Sequence, residues 1–245
     1  MLDQNNPIHA RWRLHSRYSK EEIADLQRLA IKHDCVIVTV DYRLAPETQF
    51  PGSLDDNYAA LKWLFNNAFE LGVDRSRIAV MGGSAGGGHA AMLAIAAQNR
   101  GEVPIKMQLL IAPMLDDRTG STVQTPPWVG QFVWTAERNR FGWSSLLGVP
   151  AGSPSMPEGA VPAREKNLRH LPPTFIGVGS IDLFVGESIE YAKRLLEAGV
   201  PTELLVVPGA FHGFTRFAPD SSTAKRFDAA VDAAITRAFG EPENL

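Results

Sequence analysis

The sequence predicts an α/β fold built on a mostly parallel β-sheet with helices on both faces. Short apolar runs recur along the chain and are largely continuous rather than alternating, as is typical of strands that are buried on both faces. Stretches with helical spacing lie between these runs, and strands that alternate with helices form parallel sheets. A chain of 245 residues is long enough for one full domain and short for two.

Five runs are predicted to form the strands of this sheet. They occupy residues 36–40 (VIVTV), 78–81 (IAVM), 107–112 (MQLLIA), 174–178 (TFIGV) and 202–207 (TELLVV). Because functional side chains of such sheets gather where the strands end, we expect a site at the carboxyl edge.

Helices are predicted between and around the strands. Ser19 forms a capping box with Glu22, so a first helix should begin there and end near His33. The other predicted helices occupy residues 55–67, 85–98, 188–198 and 223–239. The last two are followed by Gly199 and Gly240, and glycine is common just beyond a helix.

Residues 116–169 break the alternation because they contain no clear strand. Segments of this length are either disordered or functional, and their large aromatic residues argue against disorder. These aromatics either line a pocket or form a small core of their own; they are Trp128, Phe132, Trp134, Phe141 and Trp143. We therefore expect a single domain, residues 1–245, with a cap-like insertion around residues 116–169.

Composition and charge exclude several classes of function. The net charge of −3 gives no electrostatic basis for nucleic acid or an anionic membrane as a partner. No apolar run approaches the ~20 residues that span a bilayer, and the N-terminus lacks an apolar signal segment, so we expect a cytoplasmic protein. Cys35 is the only cysteine, which precludes an internal disulfide. The histidine spacings do not suggest a metal site.

The segment IAVMGGSAGGGHAA, residues 78–91, contains the pattern G-x-S-x-G, formed by Gly82, Gly83, Ser84, Ala85 and Gly86. A serine nucleophile must stand on a strained turn between a strand and a helix, where nearby glycines avoid collisions of Cβ atoms. The N-terminus of the following helix favours developing negative charge. A plain glycine corner explains the pattern about equally well, because short motifs give many false matches.

A nucleotide-binding site is a weaker interpretation of these glycines. The pattern G-x-x-x-x-G-K-[ST] is absent, because no lysine follows the glycines. Residues 86–91 (GGGHAA) match G-x-G-x-x-A only inside the predicted helix rather than in the turn before it. The nucleotide-binding site is therefore the least favoured of the three interpretations.

A serine nucleophile needs a base, and the base needs an orienting carboxylate. Asp182 follows the predicted strand at 174–178, and His212 follows the one at 202–207. Taken alone, Asp182 is an ordinary N-cap and His212 an ordinary loop histidine. The chain order Ser84, Asp182, His212 at three strand ends favours a catalytic triad.

These and further motifs resemble those of the hormone-sensitive-lipase-like branch of the α/β-hydrolases, the bacterial short-chain esterases. The resemblance covers about residues 21–239. Its segments are VDYRLAPE (40–47), FPGSLDDNYAALKWL (50–64), GGSAGG (82–87), PMLDDRTGS (113–121), GSIDLFVGE (179–187) and VPGAFHGF (207–214).

The resemblance implies an α/β-hydrolase fold with a partial cap, and hydrolysis of small carboxylic esters through an acyl-enzyme without a cofactor. It implies that Ser84 is the nucleophile, His212 the general base and acid, and Asp182 the orienting carboxylate. The backbone N–H of Ala85 would be one oxyanion donor. Many members of the family form homodimers through the last strand, here Thr202–Val207.

The chain departs from the family before residue 40. The family's H-G-G-G segment, whose N–H groups complete the oxyanion hole, is absent, and residues 7–22 read PIHARWRLHSRYSKEE. The family's first strands and N-terminal cap helices are also missing, which would leave an open sheet edge beside residues 36–40. Loss of one oxyanion donor lowers kcat ~10²–10³-fold. The chain is thus a natural variant with a rebuilt oxyanion hole, a truncated product, or a fold without activity that binds a ligand.

Smaller signals have structural interpretations. Glu187 is an acid favoured by a helix N-terminus more readily than a site residue. Asp116 and Asp117 are expected to hold the entrance of the insertion rather than to contact substrate. Cys35 is expected to be a small buried residue rather than a nucleophile.

Overall fold

The computed structural model describes residues 8–12 and 20–240. Their strands form one six-stranded sheet in the order β2-β1-β3-β4-β5-β6, and every neighbouring pair is parallel. The strands are β1 Ile8–Trp12, β2 Ile37–Thr39, β3 Ile78–Gly83, β4 Met107–Ile111, β5 Thr174–Gly179 and β6 Thr202–Val207. All five predicted strands are present.

Helices connect the strands and cover both faces of the sheet. They are α1 Lys20–Lys32, α2 Gly52–Asn66, α3 Ala85–Arg100, α4 Ala136–Leu147, α5 Val185–Glu197, α6 Phe214–Phe217 and α7 Ser222–Phe239, with 3₁₀ turns at Arg75–Arg77 and Pro162–Arg164. The five predicted helices correspond to α1, α2, α3, α5 and α7, within about three residues at each end. Ser19 itself lies outside the described residues.

The core consists of two apolar clusters, one on each face of the sheet. In β3, Ile78 and Val80 belong to the cluster formed with α2, α3 and α5, whereas Ala79 belongs to the cluster formed with α7. Successive residues of a strand point to opposite faces, so a continuous apolar run serves both clusters. The predicted parallel sheet with helices on both faces is confirmed.

One strand lies where the sequence analysis expected none. β1 pairs with β2 on one side and with β3 on the other, and Trp12 lies opposite Gly82. Its sequence, IHARW, alternates apolar with polar residues and is short, so it does not stand out as a buried run. β2, only three residues long, is the edge strand, and β6 forms the opposite edge.

The insertion contains a helix, α4, that the sequence analysis missed. Thr135 caps it through its side-chain oxygen, which accepts a hydrogen bond from the Arg138 N–H, and Gly148 ends it in the left-handed conformation. A threonine before a helix and a glycine after it are both helix-end signals that can be recognised in the sequence. The aromatics divide: Trp143 is buried in the main core, Trp134 is half-buried, and Trp128, Phe132 and Phe141 are exposed.

A buried ion pair ties the insertion together. The carboxylate of Asp117 is fully buried and accepts hydrogen bonds from Arg164 Nε and Nη2 at 2.8 and 2.7 Å. It also accepts one from the Gly152 N–H at 2.8 Å. Asp116 pairs with Arg118 instead. Asp117 therefore joins the start, the middle and the end of the insertion.

Within residues 8–12 and 20–240, none of the helices combines the length and the apolar character needed to span a bilayer.

We expect Asp117→Asn to lower the free energy of unfolding by about 3 kcal/mol, because it leaves the guanidinium of Arg164 without its counter-charge in a mostly buried place. Urea denaturation measures the change through the midpoint at constant slope. The matched control is Asp55→Asn, whose exposed carboxylate lies 3.8 Å from Arg100, with an expected loss below about 1 kcal/mol. Equal effects of the two substitutions would contradict the role given to Asp117.

Candidate active site

The chain turns sharply at Ser84, between β3 and α3. Ser84 has φ of 58° and ψ of −125°, a combination that L-residues rarely adopt and that costs about 1–3 kcal/mol. Hydrogen bonds from the next strand hold the turn: the Ser84 N–H donates to the Ile111 carbonyl at 2.8 Å, and the Met114 N–H donates to the Ser84 carbonyl at 3.0 Å. The predicted strand–turn–helix context of the serine is present.

The glycines around Ser84 have different physical roles. A Cβ added to Gly82 would lie 2.1 Å from the Gly86 carbonyl oxygen, so only glycine allows α3 to start this close to β3. A Cβ on Gly83 would meet nothing nearer than 3.9 Å, so that glycine is not sterically required. Residues 86–88 lie within α3, whereas the nucleotide-binding interpretation requires these glycines to lie in the turn before the helix.

The three residues that the sequence analysis singled out meet at the carboxyl edge of the sheet. His212 Nε2 lies 2.9 Å from Ser84 Oγ, and His212 Nδ1 lies 2.8 Å from Asp182 Oδ2. Asp182 Oδ1 accepts a hydrogen bond from the Phe184 N–H at 3.0 Å. Asp182 is therefore not the N-cap of α5, a position that Phe184 occupies without a side-chain cap.

The environment of His212 fixes which nitrogen carries the proton. The carboxylate of Asp182 can only accept, so Nδ1 carries the proton and Nε2 is left to accept from the Ser84 hydroxyl. Asp182 and His212 are only 1% and 7% exposed. The ring of Phe184 meets the imidazole edge-on at 5.3 Å, and the ring of Trp134 lies 6.3 Å away. The sequence analysis did not find these two ring contacts, because they join segments far apart in the chain.

Ala85 begins α3, so its N–H has no carbonyl partner within the helix and lies beside the serine hydroxyl. The positive end of the helix dipole at this point favours negative charge. β1 ends at Trp12, opposite Gly82 and two residues before Ser84. Residues 13–19, which belong to the segment in place of H-G-G-G, lie outside the described residues.

Glu187 braces the loop that follows β4. Its Oε1 accepts hydrogen bonds from the N–H groups of Leu115 and Asp116 at 2.6 and 3.2 Å. Burial, more than any other cause, raises the pKa of this carboxyl well above its usual value. Glu187 lies in the first turn of α5, but its carboxylate oxygen bonds to the loop after β4, a contact that the interpretation as a helix N-terminal acid did not include.

The remaining titratable candidates do not assemble into a second centre. Burial, with a smaller effect of Asp34, raises the pKa of the Cys35 thiol to about 12, so it is protonated at neutral pH. Among the residues that the structure describes, no three His, Cys, Asp or Glu side chains cluster in a way that could hold a metal ion. A serine hydroxyl bonded to a carboxylate-oriented histidine is the arrangement that transfers acyl groups.

Comparison with known proteins agrees with this geometry. A family model described as the α/β hydrolase fold matches residues 14–216. Carboxylesterase NlhH of Mycobacterium tuberculosis is 37% identical over 193 residues, which is 77% of this chain and 59% of that protein. Esterase LipI of the same organism is 34% identical over 194 residues, 77% of this chain and 58% of its own length. The chain thus spans less than two thirds of these relatives.

Solved structures give the same result. A bacterial heroin esterase superposes with a TM-score of 0.84 at 37% identity, covering 95% of this chain and 74% of that one. Esterase LipW from Mycobacterium marinum gives 0.82 at 35% identity, with 97% and 74% covered. The match of the family model over most of the sequence shows that the chain belongs to the hormone-sensitive-lipase-like family of α/β hydrolases.

Proposed function

We propose that the protein is a serine carboxylesterase that hydrolyses small, water-soluble esters of short-chain carboxylic acids through an acyl-enzyme. The observation that carries the proposal is the position of His212, within hydrogen-bond distance of Ser84 on one side and of Asp182 on the other. The names of its relatives, carboxylesterase and esterase, support the reaction class.

In the first half of the reaction, Ser84 Oγ attacks the ester carbonyl while His212 Nε2 accepts the hydroxyl proton. The tetrahedral intermediate places its oxyanion beside the N–H of Ala85. As the intermediate collapses, His212 passes the proton to the departing alkoxide oxygen, and the alcohol leaves with the acyl group bound to Ser84.

In the second half, water attacks the acyl-enzyme and His212 accepts its proton. The second intermediate collapses, the proton returns to Ser84 Oγ and the carboxylic acid is released. Asp182 keeps His212 in the tautomer whose Nε2 can accept, and stabilises the imidazolium formed in each half. The reaction needs water and the ester alone.

The insertion at residues 116–169 acts as a partial cap over this site. Trp134, half-buried on the insertion, faces the imidazole of His212, so it borders the space where the substrate reacts. Two copies of the chain form a homodimer through the edge strand β6. The protein acts in the cytoplasm.

The absence of H-G-G-G leaves Ala85 as the one oxyanion donor assigned among the described residues. Oxyanion donors are the largest single contribution to acyl transfer in many enzymes, and the loss of one lowers kcat ~10²–10³-fold. We therefore expect a slower esterase than a family member with the complete segment, unless residues before α1 supply a second donor.

Ser84→Ala should abolish hydrolysis of p-nitrophenyl acetate and p-nitrophenyl butyrate, because no other hydroxyl lies within reach of His212 Nε2 among the described residues. A fluorophosphonate should label the unaltered protein at Ser84 and fail to label the variant. The measurements are absorbance of p-nitrophenolate and the mass of the intact protein.

The control is Ser222→Ala, a serine at the start of α7 and outside the site, which should keep both activity and labelling. Near-background rates in the unaltered protein and in Ser84→Ala alike, with no adduct, would refute the esterase. If a pocket ligand then still raised the melting temperature, the chain would be a ligand-binding protein instead.

Asp182→Asn should lower kcat about 10⁴-fold with little change in KM, because an amide holds His212 in the tautomer whose Nε2 cannot accept a proton. Steady-state kinetics with p-nitrophenyl butyrate measure the change. Asp220→Asn makes the same chemical change at a fully exposed residue and should leave kcat unaltered. A loss below about tenfold in Asp182→Asn would show that this carboxylate does not orient the base.

A further inference from the structure

His89 is a buried histidine outside the proposed triad, on α3 one turn after Ala85. Its Nδ1 lies 3.0 Å from the Ala85 carbonyl oxygen, and its Nε2 lies 2.9 Å from Ser53 Oγ. Its ring stacks on Tyr42, with centroids 4.9 Å apart and planes inclined by 25°. One side chain thus connects α3 with α2 and with the loop after β2.

The hydrogen bonds of His89 define a single neutral tautomer. The Ala85 carbonyl can only accept, so Nδ1 carries the proton, and Nε2 accepts from the Ser53 hydroxyl. Burial lowers the pKa of His89 to about 4, so the ring is uncharged at neutral pH. Hydrogen bonds, and not an ion pair, therefore fix the orientation of the side chain. This is the property of a positioning group rather than of an acid or base.

The turn that His89 spans consists of residues 86–88, three consecutive glycines between Ala85 and His89. Glycine loses more conformational freedom on folding than any other residue and is a poor helix former. This turn also carries the Ala85 N–H, the oxyanion donor. The donor therefore stands at the start of the segment of α3 that is intrinsically least rigid.

Larger residues cannot stiffen this turn. A Cβ on Gly87 would lie 2.8 Å from Pro113 Cβ, and a Cβ on Gly88 would lie 2.1 Å from the Met114 carbonyl oxygen. The close approach of α3 to the loop after β4 thus requires glycine at both positions. The N–H groups of Gly87 and Gly88 bond to the Ser84 carbonyl at 2.9 and 3.2 Å, but any side-chain support for the turn must come from outside the glycines.

We propose that His89 is a positioning residue for the esterase reaction: its Nδ1–H, bonded to the Ala85 carbonyl across the triple glycine, holds the first turn of α3 so that the Ala85 N–H faces the oxyanion. This inference rests on the proposed function. Stacking on Tyr42 keeps the imidazole in the orientation that this hydrogen bond requires.

Two amide substitutions separate the two hydrogen bonds of His89. The side-chain amide in His89→Asn reaches the position of Nδ1 and can donate to the Ala85 carbonyl, whereas in His89→Gln it reaches the position of Nε2 and faces Ser53. We expect kcat of His89→Gln to fall about 10- to 100-fold with KM within about twofold, because a small displacement of a catalytic group has an effect of that size. His89→Asn should stay within about threefold of the unaltered protein.

Ser53→Ala supplies the matched control. It removes the bond to Nε2 and leaves the bond to Ala85, so its kcat should resemble that of His89→Asn. Equal losses of kcat in His89→Asn and His89→Gln, or losses that simply follow their melting temperatures, would overturn the proposal and leave His89 as a packing residue.

Amide hydrogen exchange of peptides covering residues 84–90 gives a readout that does not depend on turnover. Exchange should be faster in His89→Gln than in His89→Asn, while peptides from β4 and β5 remain unchanged. Equal exchange in the two variants would overturn the proposal. Failure of the proposed function would appear separately, because the unaltered protein would then hydrolyse esters no faster than Ser84→Ala. The exchange comparison would still decide whether His89 holds the turn.

Discussion

Two hydrogen bonds hold Ser84 in a backbone conformation that the isolated chain would avoid. The Ser84 N–H donates to the Ile111 carbonyl, and the Met114 N–H donates to the Ser84 carbonyl. A positive φ at a serine is tolerated only where the surroundings over-determine it. Here both bonds come from β4 and its following loop, so the sheet itself enforces the turn. The direction of α3 and the exposure of Oγ follow from that constraint.

Parallel strands explain why residues so far apart in sequence meet at this turn. β3, β4, β5 and β6 are consecutive neighbours in the sheet and point the same way, so the loops that follow them share one edge. Asp182 and His212 leave two adjacent strands, and the imidazole spans the remaining distance to Ser84. The chemistry is assembled from loop residues, while the strands fix their separation.

The parts of the fold and of the site that the sequence predicts are those with a local signal. The buried strands appear as apolar runs, the elbow as G-x-S-x-G, and Asp182 and His212 as polar residues directly after strands. β1 was missed because IHARW carries polar residues at every second position, and its pairing with β3 depends on partners about 70 residues away. α4 was missed although Thr135 and Gly148 mark its ends, because its hydrophobic face is weak.

Contacts between distant segments left no signal in the sequence at all. The bond from Arg164 to Asp117 and the contact of the Trp134 ring with His212 depend on how the insertion folds back on the sheet. His89 reads as an unremarkable member of an alanine-rich helix until α2 brings Ser53 to its Nε2. In each case the residue type permits many partners, and only the tertiary fold selects one.

Cys35 has a consequence for the chemical reactivity of the whole molecule. It is the only cysteine in the chain, and burial raises the pKa of its thiol to about 12, so the protonated thiol predominates at pH 7. Electrophiles that attack thiolates therefore find little reactive cysteine in this protein. Under the proposed function, a thiol-directed electrophile and a phosphonylating one should consequently give opposite results on the same sample, so covalent labelling would report selectively on hydroxyl chemistry.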